Sequence, residues 1–323
     1  MTKVQTDESI IKKNQIKAGA LKTVTILAAV LTVLVLGFLI VYILVKGVPH
    51  LSPELFAWEY TSENVSMLPA IINTLEVTVL TLLVAIPFGI GSAIYLVEYA
   101  SSKNRFVPVV RMTAETLTGI PSIVYGLFGM LFFNSLFGIS VLSGALTLAI
   151  MVLPVIMRTT EEALLAVPKK YREGSFGLGA GKLRTIFKIV LPAAMPGIFS
   201  GIVLSIGRIV GETAALIYTA GTFTKAASSI FNSGRTLSVH MYLLSKEGLN
   251  TDQAYATAVV LLVIVIIINF ISGRITSQLH GLVSVTQHIV PCSVHIGHFS
   301  HPSPFCISLH VSLIVISASY NFL

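Results

Sequence analysis

Long apolar runs separated by short polar stretches dominate the chain. Six segments are apolar over the roughly 20 residues that a helix needs to cross a hydrocarbon layer. They are 23–45, 68–97, 106–133, 139–157, 196–220 and 256–272, the last almost purely Val, Leu and Ile. The first run is too long for the apolar region of a signal peptide, and no small-residue cleavage site follows it, so it predicts a retained helix. The third run is too long for a single straight crossing. At 1.5 Å per residue its 28 or so residues reach about 42 Å, against a hydrocarbon core near 30 Å. Its middle reads Thr118-Gly119-Ile120-Pro121-Ser122. Pro121 removes a helix hydrogen bond and Gly119 tolerates a bend. Such a break is either a packing kink or the lining of a pathway.

Composition narrows the class. Of 323 residues, 54% are hydrophobic and only 11% are charged, against about a quarter charged in an ordinary soluble domain. The mean hydropathy is +0.87. These values exclude a soluble globular enzyme and a disordered chain. Two cysteines, both near the C-terminus, exclude a disulfide framework. The net charge of +7 does not point to nucleic acid, because its Lys and Arg residues lie in short segments between apolar runs. They set an orientation instead. The N-terminal segment carries Lys3, Lys12, Lys13, Lys17 and Lys22, the loop after the second run Lys103 and Arg105, and the stretch 158–195 seven basic residues. These are expected to face the cytoplasm, with 46–67, 134–138 and 221–255 facing outward. The expectation is an all-α membrane protein: a cytoplasmic segment 1–22, a six-helix bundle 23–274 and an atypical tail 275–323.

The stretch 158–195 holds the most specific pattern. Glu173-Gly174-Ser175, three residues, Gly179, nine residues and Ile189-Val190-Leu191-Pro192 are similar to the EAA motif of importer-type ABC permeases, E-A-A-x3-G-x9-I-x-L-P. Gly174 and Ser175 stand for the two alanines and keep the surface small. Two short helices joined by a glycine turn make a rigid knob. The resemblance implies that this knob, through Glu173, Gly174, Ser175, Gly179, Ile189, Leu191 and Pro192, docks on a separate ATPase subunit. Further segments sharpen it: Gly119 to Gly129, Leu153 to Pro168, Ile206-Gly-Arg-Ile-Val-Gly-Glu-Thr-Ala214 and Thr236 to Tyr242. Over roughly residues 20–281 the chain resembles PstA-type permeases of phosphate ABC importers, more than their PstC-type sisters. The resemblance implies half of a transmembrane path for inorganic phosphate in a bacterial cytoplasmic membrane. It also implies as partners a second, PstC-like permease, two ATPase subunits that bind ATP and Mg, an extracytoplasmic phosphate-binding protein and surrounding lipid. Another oxyanion, such as sulfate or molybdate, stays open as the cargo. A six-span channel would have no use for an ATPase dock. No Gly-x-x-x-x-Gly-Lys-Ser/Thr, His-Glu-x-x-His or Gly-x-Ser-x-Gly occurs, so the chain is expected to bind no cofactor and catalyse no reaction itself.

Ionisable residues inside apolar runs are costly, so each is a candidate site. Arg208 and Glu212 are four apart, which on an uninterrupted helix puts them on one face. Either they form a structural pair, or Arg208 offers its fork of donors to a passing oxyanion while Glu212 gates; the resemblance favours the second. Arg111 and Glu115 are also four apart, and pair with each other or with Arg158 and Glu161 at the inner end of the fourth run, as a structural network. Glu76 has no obvious partner in its own run and is either protonated or faces the path.

The tail differs from everything before it. From Ile275 to Leu323 it has no Lys, Arg, Asp or Glu, yet holds six of the eight histidines and both cysteines. Three readings compete: a metal site from Cys292, His295, His298, His301 and Cys306, in no standard zinc spacing; a seventh membrane segment at 305–323; or a frameshifted end of the reading frame, which suits the uniform lack of charge best. Truncation after Leu282 is expected to leave transport unchanged in a whole-cell uptake assay; loss of uptake would show that the tail is needed.

Overall fold

Hydrocarbon offers no hydrogen bonds to a peptide group, so an apolar run must satisfy its own backbone, and helices do so within one segment. The computed structural model is accordingly built from helices, with no strand among the described residues, which are 8–100, 105–248 and 250–288. The helices are α1 (Glu8–Gly47), α2 (Leu68–Ile94), α3 (Phe106–Thr118), α4 (Ser122–Phe137), α5 (Val141–Ala166), α6 (Lys169–Gly177), α7 (Lys182–Thr185), α8 (Leu191–Gly211), α9 (Ala214–Thr219), α10 (Leu237–Glu247) and α11 (Thr251–His288). Five helical stretches are long and apolar enough to cross a membrane, or six when α3 and α4 count as one broken span.

Helix α5 is the hub. It packs against α2 and α8 over its length and meets α3, α4 and α9. Of its most apolar stretch 67% is buried, against none for α1. Helix α1 rests on α11, and most of its described side chains are exposed. The central core joins Val77, Leu148, Val152, Ile156, Ile209 and Leu216; a second cluster toward the knob joins Leu96, Leu164, Val190 and Ile198. Close approach relies on small residues, as in other membrane bundles. A Cβ at Gly129 of α4 would collide with the Thr147 side chain of α5 and come within 2.8 Å of Thr219 of α9.

The long third run does break at Gly119-Ile120-Pro121, and far more sharply than a packing kink: α3 and α4 meet at 102°. The conformation of Ile120 is restricted by the proline after it, and Pro121 starts α4 without needing an N–H partner. The Tyr125 hydroxyl donates to the Leu117 carbonyl at 2.8 Å, beside the Ile120 N–H that also reaches it at 3.2 Å, and so ties α4 back to the end of α3. Two other expectations change. The fourth run stays helical to Ala166, so Arg158 and Glu161 ride a helix end rather than a loop. The fifth run ends at Gly211; Glu212 is extended (φ −73°, ψ 128°), and a separate helix, α9, follows. Arg208 and Glu212 therefore do not share a helix face.

On the side opposite the knob, the loop after α9 folds back onto α5. Asn232 and Ile230 accept from the N–H groups of Val141 and Leu142 at 3.0 and 2.9 Å, and the Ser140 side chain accepts from Ser143, so the α5 N-terminus is fully capped. Beside it Arg235 stacks its guanidinium on the Tyr60 ring, 4.5 Å from the centroid, and Tyr60 meets the His240 ring edge-on. Burial and then the Arg235 charge push the imidazole of His240 down from 6.5 to about 3. Helix α11 runs beyond the expected end of the sixth run to His288. The candidate metal ligands Cys292, His295, His298, His301 and Cys306, and the segment 305–323, lie outside the described residues.

Two outcomes follow for stability. Gly129→Leu should push α4 off α5 and α9 and destabilise the folded chain by about 1–3 kcal/mol. Gly91→Ala, with nothing within 4 Å of its added Cβ, should stay within about 0.5 kcal/mol; thermal unfolding in detergent separates them. Because His240 stays neutral when folded, the unfolded chain alone takes up its proton below about 6.5, so this residue makes stability fall as pH drops from about 6.5 toward 3. His240→Gln should flatten that part of the decline in unfolding temperature; equal slopes in both proteins would contradict it.

Candidate functional site

The knob predicted from the spacing is a helix, a turn and a helix. Its first helix, α6, ends in a tight reversal: Leu178 N–H donates to Gly174 O at 3.1 Å, Gly179 N–H to Phe176 O at 2.9 Å and Ala180 N–H to Ser175 O at 3.1 Å. Gly179 has φ +79°, a left-handed conformation that glycine adopts without strain. Helix α7 then runs through a π-helical turn, Ile186–Val190, directly into α8. The knob is thus continuous with the fifth span.

Each motif residue has a distinct place. Glu173 and Gly174 lie exposed on α6, and a Cβ at Gly174 meets nothing within 4 Å. Ser175 is buried, and its hydroxyl pairs with that of Thr185 at 2.8 Å, tying α6 to α7. An alanine there could not make that bond. Ile189 lies on the π-helical turn, while Leu191 and Pro192 open α8. The tip is apolar and open: Leu178 is 91% exposed, with Phe176, Leu183 and Phe187 also exposed. A cleft of about 310 Å³ between turn and α7 is lined by Ser175, Leu178, Gly179, Ala180, Arg184 and Lys188. An exposed apolar tip with a basic flank is a surface made for a partner.

The intramembrane charges fall into two groups. Arg111 of α3 pairs with Glu161 of α5 at 2.5 Å and Arg158 of α5 with Glu115 of α3 at 3.3 Å, while Arg158 also meets Glu162 of its own helix at 3.4 Å. No Arg111–Glu115 pair forms within α3. This lattice ties the half-helix α3 to the hub. The pathway candidates Arg208, Glu212 and Glu76 are not brought into contact. Glu212 is buried and its carboxylate accepts from the Ala215 N–H at 3.1 Å, capping α9, while its backbone carbonyl accepts from the Ser238 hydroxyl at 2.6 Å. Arg208, half-buried in the last turn of α8, has no ion-pair partner among the described residues and lies within electrostatic reach of Tyr125 across from it on α4. Glu76 is partly buried in the third turn of α2 and forms no ion pair among the described residues.

One pair escaped the reading of the sequence. Glu98, in a π-helical turn Tyr95–Tyr99 that ends α2, accepts from Arg172 of α6 at 2.6 and 2.9 Å. The two lie 74 residues apart, and neither sits in an apolar run long enough to mark it as out of place.

The profile of the family described as "Binding-protein-dependent transport system inner membrane component" matches residues 85–281. A probable ABC transporter permease protein, YqgI of Bacillus subtilis, is 32% identical over 267 residues, covering 75% of this chain and 88% of its own. The phosphate transport system permease protein PstA of Pasteurella multocida is 37% identical over 64% of this chain and 74% of its own, and PstA 1 of Mycobacterium tuberculosis 36% identical over 64% and 69%. Among solved structures, a bacterial alginate ABC transporter aligns with a TM-score of 0.58 at 18% identity, over 83% of this chain and 97% of that one. An inward-facing MetNI methionine ABC transporter aligns with a TM-score of 0.52 at 20% identity, over 65% and 93%; at these identities the likeness shows the fold. The matched family covers most of the bundle together with the knob, and the chain belongs to the inner-membrane permease components of binding-protein-dependent ABC importers.

Proposed function

We propose that this chain forms half of the transmembrane path for inorganic phosphate in an ABC importer of a bacterial cytoplasmic membrane, with its N-terminus in the cytoplasm. The observation that carries the cargo is the state of Arg208. A guanidinium among membrane helices normally has a counter-ion. Here the nearest carboxylate in sequence, Glu212, is spent on the α9 cap, which leaves Arg208 able to accept an oxyanion. Phosphate presents several oxygens to that planar fork, and Arg208 lies within electrostatic reach of Tyr125 on α4. The named PstA relatives support the same choice.

A single bundle of this kind does not enclose a path, so a second, PstC-like permease supplies the other wall. Two ATPase subunits grip the knobs; ATP and Mg are bound there and hydrolysis happens there, not in this chain. A soluble phosphate-binding protein delivers the anion from outside. Closure of the ATPases moves the knobs, and the bundle alternates between inward-open and outward-open arrangements.

Labelled phosphate uptake in cells lacking the gene, then restored, with excess sulfate or molybdate as competitor, tests the cargo. High-affinity uptake should fall on deletion, return on restoration and ignore the competitors. Competition by sulfate or molybdate would reassign the cargo within the same architecture. Arg208→Ala should lower phosphate uptake roughly 10- to 100-fold, the worth of one or two charge-assisted hydrogen bonds, with the chain still in the membrane and bound to its ATPase. Unchanged uptake in that variant would remove Arg208 from the path.

A further inference from the structure

We infer that Glu98 and Arg172 are positioning residues that lock the coupling knob to α2, so that α2 carries ATPase-driven movement across the membrane to the loop 225–237. The inference rests on reading 169–192 as the ATPase dock.

The lock has several points. Arg172 donates through Nε at 2.9 Å and Nη2 at 2.6 Å to one oxygen of Glu98. It also donates through Nη1 to Val167 O and through Nη2 to Leu164 O, each at 3.0 Å, filling acceptors at the C-terminus of α5. One guanidinium thus joins the first knob helix to α2 and to the hub. Both side chains are largely buried, 18% exposed for Arg172 and 9% for Glu98, so water screens the pair little. The second knob helix is tied to the same turn: Lys182 Nζ lies 4.8 Å from the centroid of the Tyr99 ring. Both halves of the knob therefore bear on the five residues Tyr95–Tyr99. Swivelling the knob alone would break a buried ion pair, two helix-end hydrogen bonds and a cation–π contact together.

The other end of α2 is held as firmly. Asn73 donates to the carbonyls of Arg235 at 3.0 Å and Lys225 at 3.3 Å and accepts from the Ala227 N–H at 2.9 Å. Thr74 accepts from the Leu237 N–H at 2.8 Å. A Cβ at Gly234 would come within 2.7 Å of the Asn73 amide. Between its two anchors α2 packs along α5, with Gly89 pressed against Ile156. Pro87 lies exposed within this stretch, two residues before the Gly89 contact with Ile156. A braced helix fixed at both ends transmits displacement instead of absorbing it.

The test uses the full transporter, purified with its ATPase, permease partner and binding protein and reconstituted in vesicles with labelled phosphate. Glu98→Ala should lower phosphate moved per ATP hydrolysed at least about five-fold, with chain level and basal ATP hydrolysis unchanged. Glu98→Gln, whose amide oxygen accepts both Arg172 donors, should restore most of it. A purely structural role would lower chain level and hydrolysis together and leave the ratio intact, which overturns the inference. A second arm is independent of cargo and of those variants. Spin labels on Leu178→Cys at the knob tip and Leu75→Cys near the outer end of α2, in a Cys292→Ser, Cys306→Ser background, report one distance. That distance should be the same without nucleotide and with a non-hydrolysable ATP analogue, while a label at Leu178 and one on the ATPase itself shift relative to the second permease. A nucleotide-dependent change between Leu178 and Leu75 would overturn the inference. Absence of the ATPase from the purified wild-type complex would instead remove the dock, and the inference with it.

Discussion

Partnering of polar groups where water cannot supply a partner governs this molecule. It explains why the apolar runs are helices, and also where they stop. At Gly119-Ile120-Pro121 the chain turns through 102°, and the Leu117 carbonyl there accepts from both the Ile120 N–H and the Tyr125 hydroxyl. After Gly211 it unwinds because Glu212 meets the Ala215 N–H with its side chain and the Ser238 hydroxyl with its backbone. The same rule sorts the charges. Arg111, Glu161, Arg158 and Glu115 satisfy one another, and Arg172 satisfies Glu98 with two backbone carbonyls besides. Arg208 has no ion-pair partner among the described residues.

The arrangement also separates rigid from movable parts. Helix α5 is held by α2 and α8 along its length, by the folded-back loop at one end and by Arg172 at the other. The half-helices α4 and α9 pack on each other and on α5, yet each ends at a break. These breaks fall at Gly119–Pro121 and Glu212–Thr213. Breaks of this kind beside Arg208 suit a path that opens to one side and then the other. The knob is continuous with α8 and pinned to α2, so it belongs to the rigid set.

Much of this was legible in the sequence, and for physical reasons. Span length is fixed by hydrocarbon thickness, so the six runs stand out. Pro121 with Gly119 is a local signal for a local break. The knob rests on residue spacing, and Gly179 takes the left-handed turn that its position demands. What could not be read is decided by contacts far along the chain. At Gly211-Glu212 a local cap, Glu212 on the Ala215 N–H, is joined by the Ser238 hydroxyl from 26 residues further on. The choice of Arg111 for Glu161 over Glu115 depends on how α3 lies against α5. Glu98 and Arg172 meet only once 74 residues are folded between them. Ser175, read as a small substitute for alanine, turns out to hold the two knob helices together through Thr185.

The central claim is that the exposed tip of the knob is the surface on which an ATPase subunit drives this permease. Cross-linking in native membranes tests it most directly. A single cysteine at Leu178, 91% exposed and the most exposed large apolar side chain among the described residues, is introduced after Cys292→Ser and Cys306→Ser and treated with a short thiol-to-amine reagent. The predicted result is a product with the combined mass of this chain and one ATPase subunit, formed in intact complexes and not when the cysteine is moved to the lipid-facing Leu34 of α1. No such product, or equal yield from both positions, would contradict it.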